Sequence, residues 1–286
     1  VHRDIKPANL FLAKKDLGSA RGYFAKALEL NPKSVEALNG LIALDVAGKN
    51  VDAARSRVDA ALKVSPRDVT LLLLAGRTYA TANDMTRAEG LFRQAVEIDP
   101  QNLMAYQMLG SLYLSQNKLD QARQEFDNMA GRQPNSVGAS TMAAMILEAQ
   151  KKTGDAKTRY QTILQKDPNA AVAANNLAWI MLESGENLDM ALQFAQTAKE
   201  RLPTRPEVND TLGWIYFKKG MLPQAISALK EATDRDPKNA GFHYHLGMAY
   251  AKVGDKAKAK ASLETALRLQ STFPGADEAR STLASL

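Results

Sequence analysis

The sequence predicts an all-α fold in which antiparallel helix pairs stack one beside the next. Three observations predict it. Prolines 32, 66, 100, 134 and 168 stand 34 residues apart, Pro203 follows after 35 and Pro237 after a further 34. Small and bulky apolar residues recur at fixed distances before these prolines. Alanine and leucine are abundant, with many Lys, Glu and Gln, whereas aromatics make up only 6% of the 286 residues; that balance favours helix.

Within each period the second helix is written most plainly. Twelve residues before the proline, or its equivalent place, stand Ala20, Ala54, Ala88, Ala122, Ala156, Ala191, Ala225 and Ala259. Eight before it stand Phe24, Val58, Phe92, Phe126, Tyr160, Ala195 and Leu229, and five before it Ala27, Ala61, Ala95, Met129, Ile163, Ala198 and Ala232. These spacings put all three series on one helical face. A preceding helix carries Leu-Gly-x-x-Tyr or a variant, as LGSLY at 109–113, LGWIY at 212–216, LGMAY at 246–250 and AGRTY at 75–79. Gly76, Gly110, Gly213 and Gly247 are expected to meet the recurrent alanines of the partner helix, where only small side chains let two backbones approach. Turns carry Gly, Asn or Asp, and Ser34, Asp68, Asn102, Ser136 and Asn239 follow the prolines as N-caps.

In period, residue types and order, this pattern resembles the tetratricopeptide repeat. The resemblance implies a right-handed α-solenoid superhelix of eight units, at 1–34, 35–68, 69–102, 103–136, 137–170, 171–205, 206–239 and 240–273, the first of them degenerate. Residues 274–286 are then expected to form a capping helix over the last apolar face. The fifth unit departs from the pattern, lacking both the aromatic and the glycine of its first helix.

The opening residues VHRDIKPAN resemble the catalytic loop of a protein kinase. That resemblance would make Asp4 a base, Lys6 a phosphate contact and Asn9 a magnesium ligand. The rest of a kinase is missing: where a DFG is due, about 18 residues after Asp4, the sequence reads GYF inside a repeat helix. The 34-residue register also runs through this stretch, with Ala8 at the Gly or Ala place and Phe11 at the Tyr place. No catalysis is expected.

Other chemistry is equally sparse. Cysteine is absent, which removes disulfides, thiolate metal sites and thiol nucleophiles. His243 and His245 lie two apart on a helix and cannot form an i, i+4 metal pair. No cofactor or metal is expected. The formal charge of +6 is spread along the chain, with +4 in residues 1–34, +2 in 137–170 and +3 in 240–273, so nucleic acid is disfavoured as a partner. No apolar run reaches the roughly 18 residues a membrane span needs. The chain starts at Val1 without an initiator Met, so its true beginning is expected to lie upstream, together with any signal peptide or lipid anchor it carries.

A non-enzymatic scaffold for protein or peptide partners is the function this implies, with a second copy of the chain through the N-terminal unit as a further candidate partner. Units such as NNLAWIMLESGENLDMALQFAQTAKERLP are similar to those of bacterial multi-repeat proteins, including those of exopolysaccharide export and PEP-CTERM sorting. The alternative reading is the regulatory or targeting region of a larger enzyme such as a Ser/Thr kinase. The compartment is left open between the bacterial envelope and the cytoplasm.

The family resemblance further implies that first helices line the concave side. Carrying that geometry over turns Trp179, Leu182, Trp214, Phe217, Tyr244 and Met248 into the groove, with Asn39, Arg77 and Gln107 in its more polar N-terminal half. The same rings could instead fill the core between adjacent first helices, and the residues alone keep both readings open. Two specialised grooves of the family are not matched: Leu73 stands where a carboxylate clamp needs Lys, and only Asn176 falls on the place of an asparagine ladder.

Overall fold

A computed structural model describes residues 16–134 and 137–286. The kinase-like residues 1–9 and Ser136 lie outside the described residues. Among those described there are sixteen α-helices and no strand. The chain forms two compact bodies, divided between Pro134 and Asn135.

The N-terminal body contains α1 (Leu17–Leu30), α2 (Val35–Ala47), α3 (Val51–Val64), α4 (Val69–Thr81), α5 (Met85–Ile98), α6 (Leu103–Ser115) and α7 (Leu119–Arg132). In the C-terminal body lie α8 (Val137–Ala149), α9 (Thr153–Lys166), α10 (Ala171–Glu183), α11 (Leu188–Arg201), α12 (Pro206–Lys218), α13 (Leu222–Arg235), α14 (Ala240–Val253), α15 (Lys256–Leu269) and α16 (Ala276–Ser285). Helices pair in sequence, α2 with α3 through α14 with α15, and α16 packs on both α14 and α15. The even-numbered helices from α2 to α14 are the first helices of their pairs.

Local signals explain where each helix begins and how the chain turns. Ser34, Asp68, Asn102 and Asn239 each accept a hydrogen bond from a backbone N–H of the first turn, satisfying a donor the helix itself cannot. Between the helices of a pair one residue adopts the left-handed conformation. Gly185, Gly220 and Gly254 fill that place in later pairs, whereas Lys49, Asn83, Asn117 and Lys151 hold it at φ 59°, 61°, 56° and 60°.

Packing within the pairs follows the recurring residues, with one correction. The alanines at 20, 54, 88, 122, 156, 191, 225 and 259 are fully buried. The glycines, however, have as their nearest neighbours the bulkier residues of the second helix rather than these alanines. A Cβ on Gly76 would lie 2.3 Å from Phe92, on Gly110 2.8 Å from Phe126, on Gly213 2.6 Å from Leu229 and on Gly247 2.7 Å from Leu263. The side chain four residues beyond the alanine, on the same helix face, fills the space the missing Cβ leaves. The tyrosines of the first helices tie consecutive pairs together. Tyr79 donates to Asp59 at 2.8 Å and Tyr113 to Glu89 at 2.9 Å, so each buried ring keeps its polar tip satisfied.

Candidate functional site: a cavity on the first helices of the C-terminal body

The first helices α10, α12 and α14 lie side by side in the C-terminal body. On them, together with α8, opens a cavity of about 350 Å³. Met145 and Glu148 come from α8, Asn175, Asn176 and Trp179 from α10, Glu207, Asp210 and Thr211 from α12, and Phe242 from α14. Several of these share a register: Met145 and Trp179 are 34 residues apart, and Asn175 and Asp210 are 35 apart across the one pair with an extra turn residue. Successive helices therefore present an apolar row beside a polar row, as side-by-side stacking of a repeated helix requires.

The polar row is set by a hydrogen-bond network in its floor. Tyr160, fully buried on α9, donates its hydroxyl to Glu148 and accepts from Asn176 Nδ2 at 2.9 Å. Burial pushes the Glu148 carboxyl above the ordinary carboxylate range, against the opposing effect of the Tyr160 hydrogen bond. The Tyr160 hydroxyl is pushed up in turn by burial and by the Glu148 carboxyl. Asn175 donates to Asn176 Oδ1 at 3.3 Å, while its own Oδ1 is shut off from solvent and accepts nothing. Asp210, buried, meets Nδ1 of His245 at 2.8 Å.

Of the residues expected in the groove, Trp179 alone lines this cavity. It is half-buried, with its ring 5.9 Å from that of His245. Trp214 is buried, stacked on Phe217 at 4.4 Å and on His245 at 4.2 Å between ring centroids. Tyr244 is buried too, and its hydroxyl donates to Glu278 of α16 at 2.6 Å. Leu182 and Phe217 belong to the buried core, and half-buried Met248 packs against it. For Trp214, Phe217, Tyr244 and Leu182 the structure thus gives the core reading, because neighbouring helices enclose these side chains. In the N-terminal body Asn39, Arg77 and Gln107 are exposed, and Arg77 Nη2 donates to Asn39 Oδ1 at 3.0 Å.

Sequence reasoning missed Met145, Glu148, Asn175, Glu207, Asp210, Thr211 and Phe242. Stepping the register back from Trp179 finds Met145, but nothing in the repeat flags Glu148, because its role comes from the irregular Tyr160 in the fifth unit. A second cavity of about 340 Å³ lies in the N-terminal body, walled by apolar residues such as Leu28, Val35, Leu38, Ala60, Val64 and Leu71 near Pro32 and Ser65. It sits at helix ends rather than along the first helices. Among the described residues no group of three or more His, Asp or Glu is placed to hold a metal ion. No described helix is long and apolar enough to cross a membrane.

Models of the tetratricopeptide repeat match residues 42–102 and 141–206, residues 79–145 and residues 240–273, and a model described as TPR repeat matches 213–254. The chain is a tetratricopeptide repeat protein. Such folds serve in general as protein-interaction scaffolds, typically without catalysis of their own. A stretch of 100 residues is 27% identical to the general transcriptional corepressor ssn6 of Schizosaccharomyces pombe, covering 34% of this chain and 9% of that protein. The Cut9–Hcn1 hetero-tetramer of the APC/C has a chain that superposes with a TM-score of 0.63 at 16% identity, over 97% of this tetratricopeptide repeat protein and 54% of that chain. PilF of Pseudomonas aeruginosa gives 0.62 at 16% identity, covering 74% of this chain and 96% of its own. A tetratricopeptide repeat protein of Parabacteroides merdae gives 0.54 at 17% identity over 87% and 98%. This chain therefore spans about half of the Cut9–Hcn1 chain and a small part of the corepressor, and at these identities the structural likenesses speak for the fold alone.

Proposed function

We propose that this protein is a non-enzymatic scaffold that holds a segment of a partner protein along the first helices of its C-terminal body, with the cavity beside Trp179 as the anchor point. The observation that carries this reading is the cavity itself. Residues from four successive first helices converge on one opening that combines a half-buried indole, an exposed methionine and several polar groups. Concave sites of this size with mostly apolar walls and a few fixed polar groups are where small segments bind. A half-buried tryptophan supplies a large contact area at low entropic cost. The exposed Asn39, Arg77 and Gln107 form a more polar face in the N-terminal body and are proposed as secondary contacts. The likeness of its units to those of bacterial multi-repeat proteins supports, as a proposal, a partner that belongs to an envelope or exopolysaccharide assembly.

Affinity capture with the full chain, compared with Trp179→Ala, tests the proposal. The expected result is a partner whose capture falls at least about tenfold in the variant, the effect of losing an aromatic anchor, while circular dichroism remains that of the parent. Capture unchanged by Trp179→Ala would overturn the site.

A further inference from the structure

We propose that the cavity beside Trp179 selects a basic residue, Lys or Arg, adjoining an apolar residue in the partner segment. This rests on the reading of the cavity as a peptide site, and it follows from what lines it. Three acidic residues line the opening, Glu148, Glu207 and Asp210, and no Lys, Arg or His is among the lining residues.

The three are not equivalent. Asp210 is already engaged by His245 at 2.8 Å, and Glu207 lies 3.6 Å from Arg205 Nε with both side chains mostly exposed. Glu148 differs, because its hydrogen-bond donor is the neutral hydroxyl of Tyr160 and burial disfavours its charge. A carboxylate drawn from water without a cation beside it gains from an incoming ammonium or guanidinium more than a solvated one does. A guest rich in N–H donors satisfies Glu148, whereas a guest carboxylate or phosphate does not.

The apolar walls suit the same guest. Lys and Arg carry long aliphatic stems, which cover apolar surface while the charged head reaches polar groups. Met145, 41% exposed, and the half-buried Trp179 offer that surface, and the indole face itself attracts a cation. The volume of about 350 Å³ accommodates one or two side chains rather than a folded surface. A basic residue next to an apolar one fills it and pairs its charge.

The test is selection of a random dodecapeptide phage library on the intact chain, followed by synthesis of the enriched peptides. The expected outcome is enrichment of Lys or Arg beside an apolar residue. Binding should weaken about tenfold or more in the Glu148→Gln, Glu207→Gln variant, as expected when a desolvated charge pair loses one partner. The same loss should follow when the peptide's basic residue is replaced by Gln, which leaves the protein untouched; Gln at 148 also keeps an acceptor for Tyr160. Peptides that need Trp179 but show no basic preference, and bind the charge variant equally, would overturn the selectivity while leaving the site in place. Peptides indifferent to both Trp179→Ala and the charge variant, or no binders at all, would overturn site and selectivity together.

Discussion

Replacing Gly76 by Ala adds a single methyl group on the face of α4 that packs against Phe92 of α5, and the structure states what that methyl meets. Its position is 2.3 Å from Phe92 Cε1 and 2.6 Å from Cδ1. Carbon atoms in contact sit about 3.5–4.0 Å apart, so ring or helix must retreat by more than about 1 Å. Phe92 is only 2% exposed, so its ring can move only by displacing its neighbours. Overpacking of this kind costs about 1–3 kcal/mol, while the helix propensity of Ala over Gly returns about 1 kcal/mol. The net expectation is a loss of about 0–2 kcal/mol. Gly90 on α5 of the same pair is the control, since nothing lies within 4 Å of the Cβ it would gain, and Gly90→Ala should stabilise by about 0.5–1 kcal/mol. Urea denaturation followed by circular dichroism at 222 nm reads both, and amide hydrogen exchange in α4 and α5 shows whether the loss is local, since repeat arrays open unit by unit. If Gly76→Ala raised stability as Gly90→Ala does, the interlock of glycine and ring would not be what sets the helix spacing.

Two further outcomes follow from local geometry. Lys151 holds a left-handed turn at φ 60° where the corresponding turns use Gly185, Gly220 and Gly254, so Lys151→Gly should stabilise by about 0.5 kcal/mol in thermal unfolding. The gain is the relief of about 1–2 kcal/mol of backbone strain less the added flexibility of glycine. Burial of Asp45 alone would raise its carboxyl, but hydrogen bonds and charge from Arg21 and Arg57, both at 2.6 Å, outweigh it and hold it below the usual range. A depressed carboxyl contributes stability that is present above its unfolded value and lost as pH falls through the folded one. Denaturation midpoints should therefore drop below about pH 4, less steeply in Asp45→Asn. With the arginines still 43% and 36% exposed, the loss for that variant at neutral pH should be only about 1 kcal/mol.

The array was legible because a repeated fold repeats its constraints. Every 34 residues the chain needs a small residue, a bulky one, a turn and a cap, and Gly110, Phe126, Asn117 and Asn102 are one such set. What the glycines touch was less legible, since Ala88 and Phe92 share a face and only coordinates tell which fills the gap. The site was harder still. Trp179 and Trp214 are equivalent in the repeat, yet Trp214 is enclosed by Phe217 and His245 while Trp179 reaches the cavity. Equivalent positions share a backbone environment, but their side-chain exposure depends on neighbours that do not repeat. Glu148 and Tyr160 illustrate the same point, as a partly buried hydrogen-bonded pair that no other unit repeats.

The chain has two tryptophans, so its indole N–H groups give two assignable NMR signals, with Trp179→Phe identifying which is which. Titrating the labelled protein with an enriched peptide bearing a basic residue tests the binding site most directly. A large shift of the Trp179 signal, with a smaller one for Trp214 packed beneath Phe217 and His245, is the result predicted here. Saturable binding that leaves the Trp179 signal where it was would contradict the account.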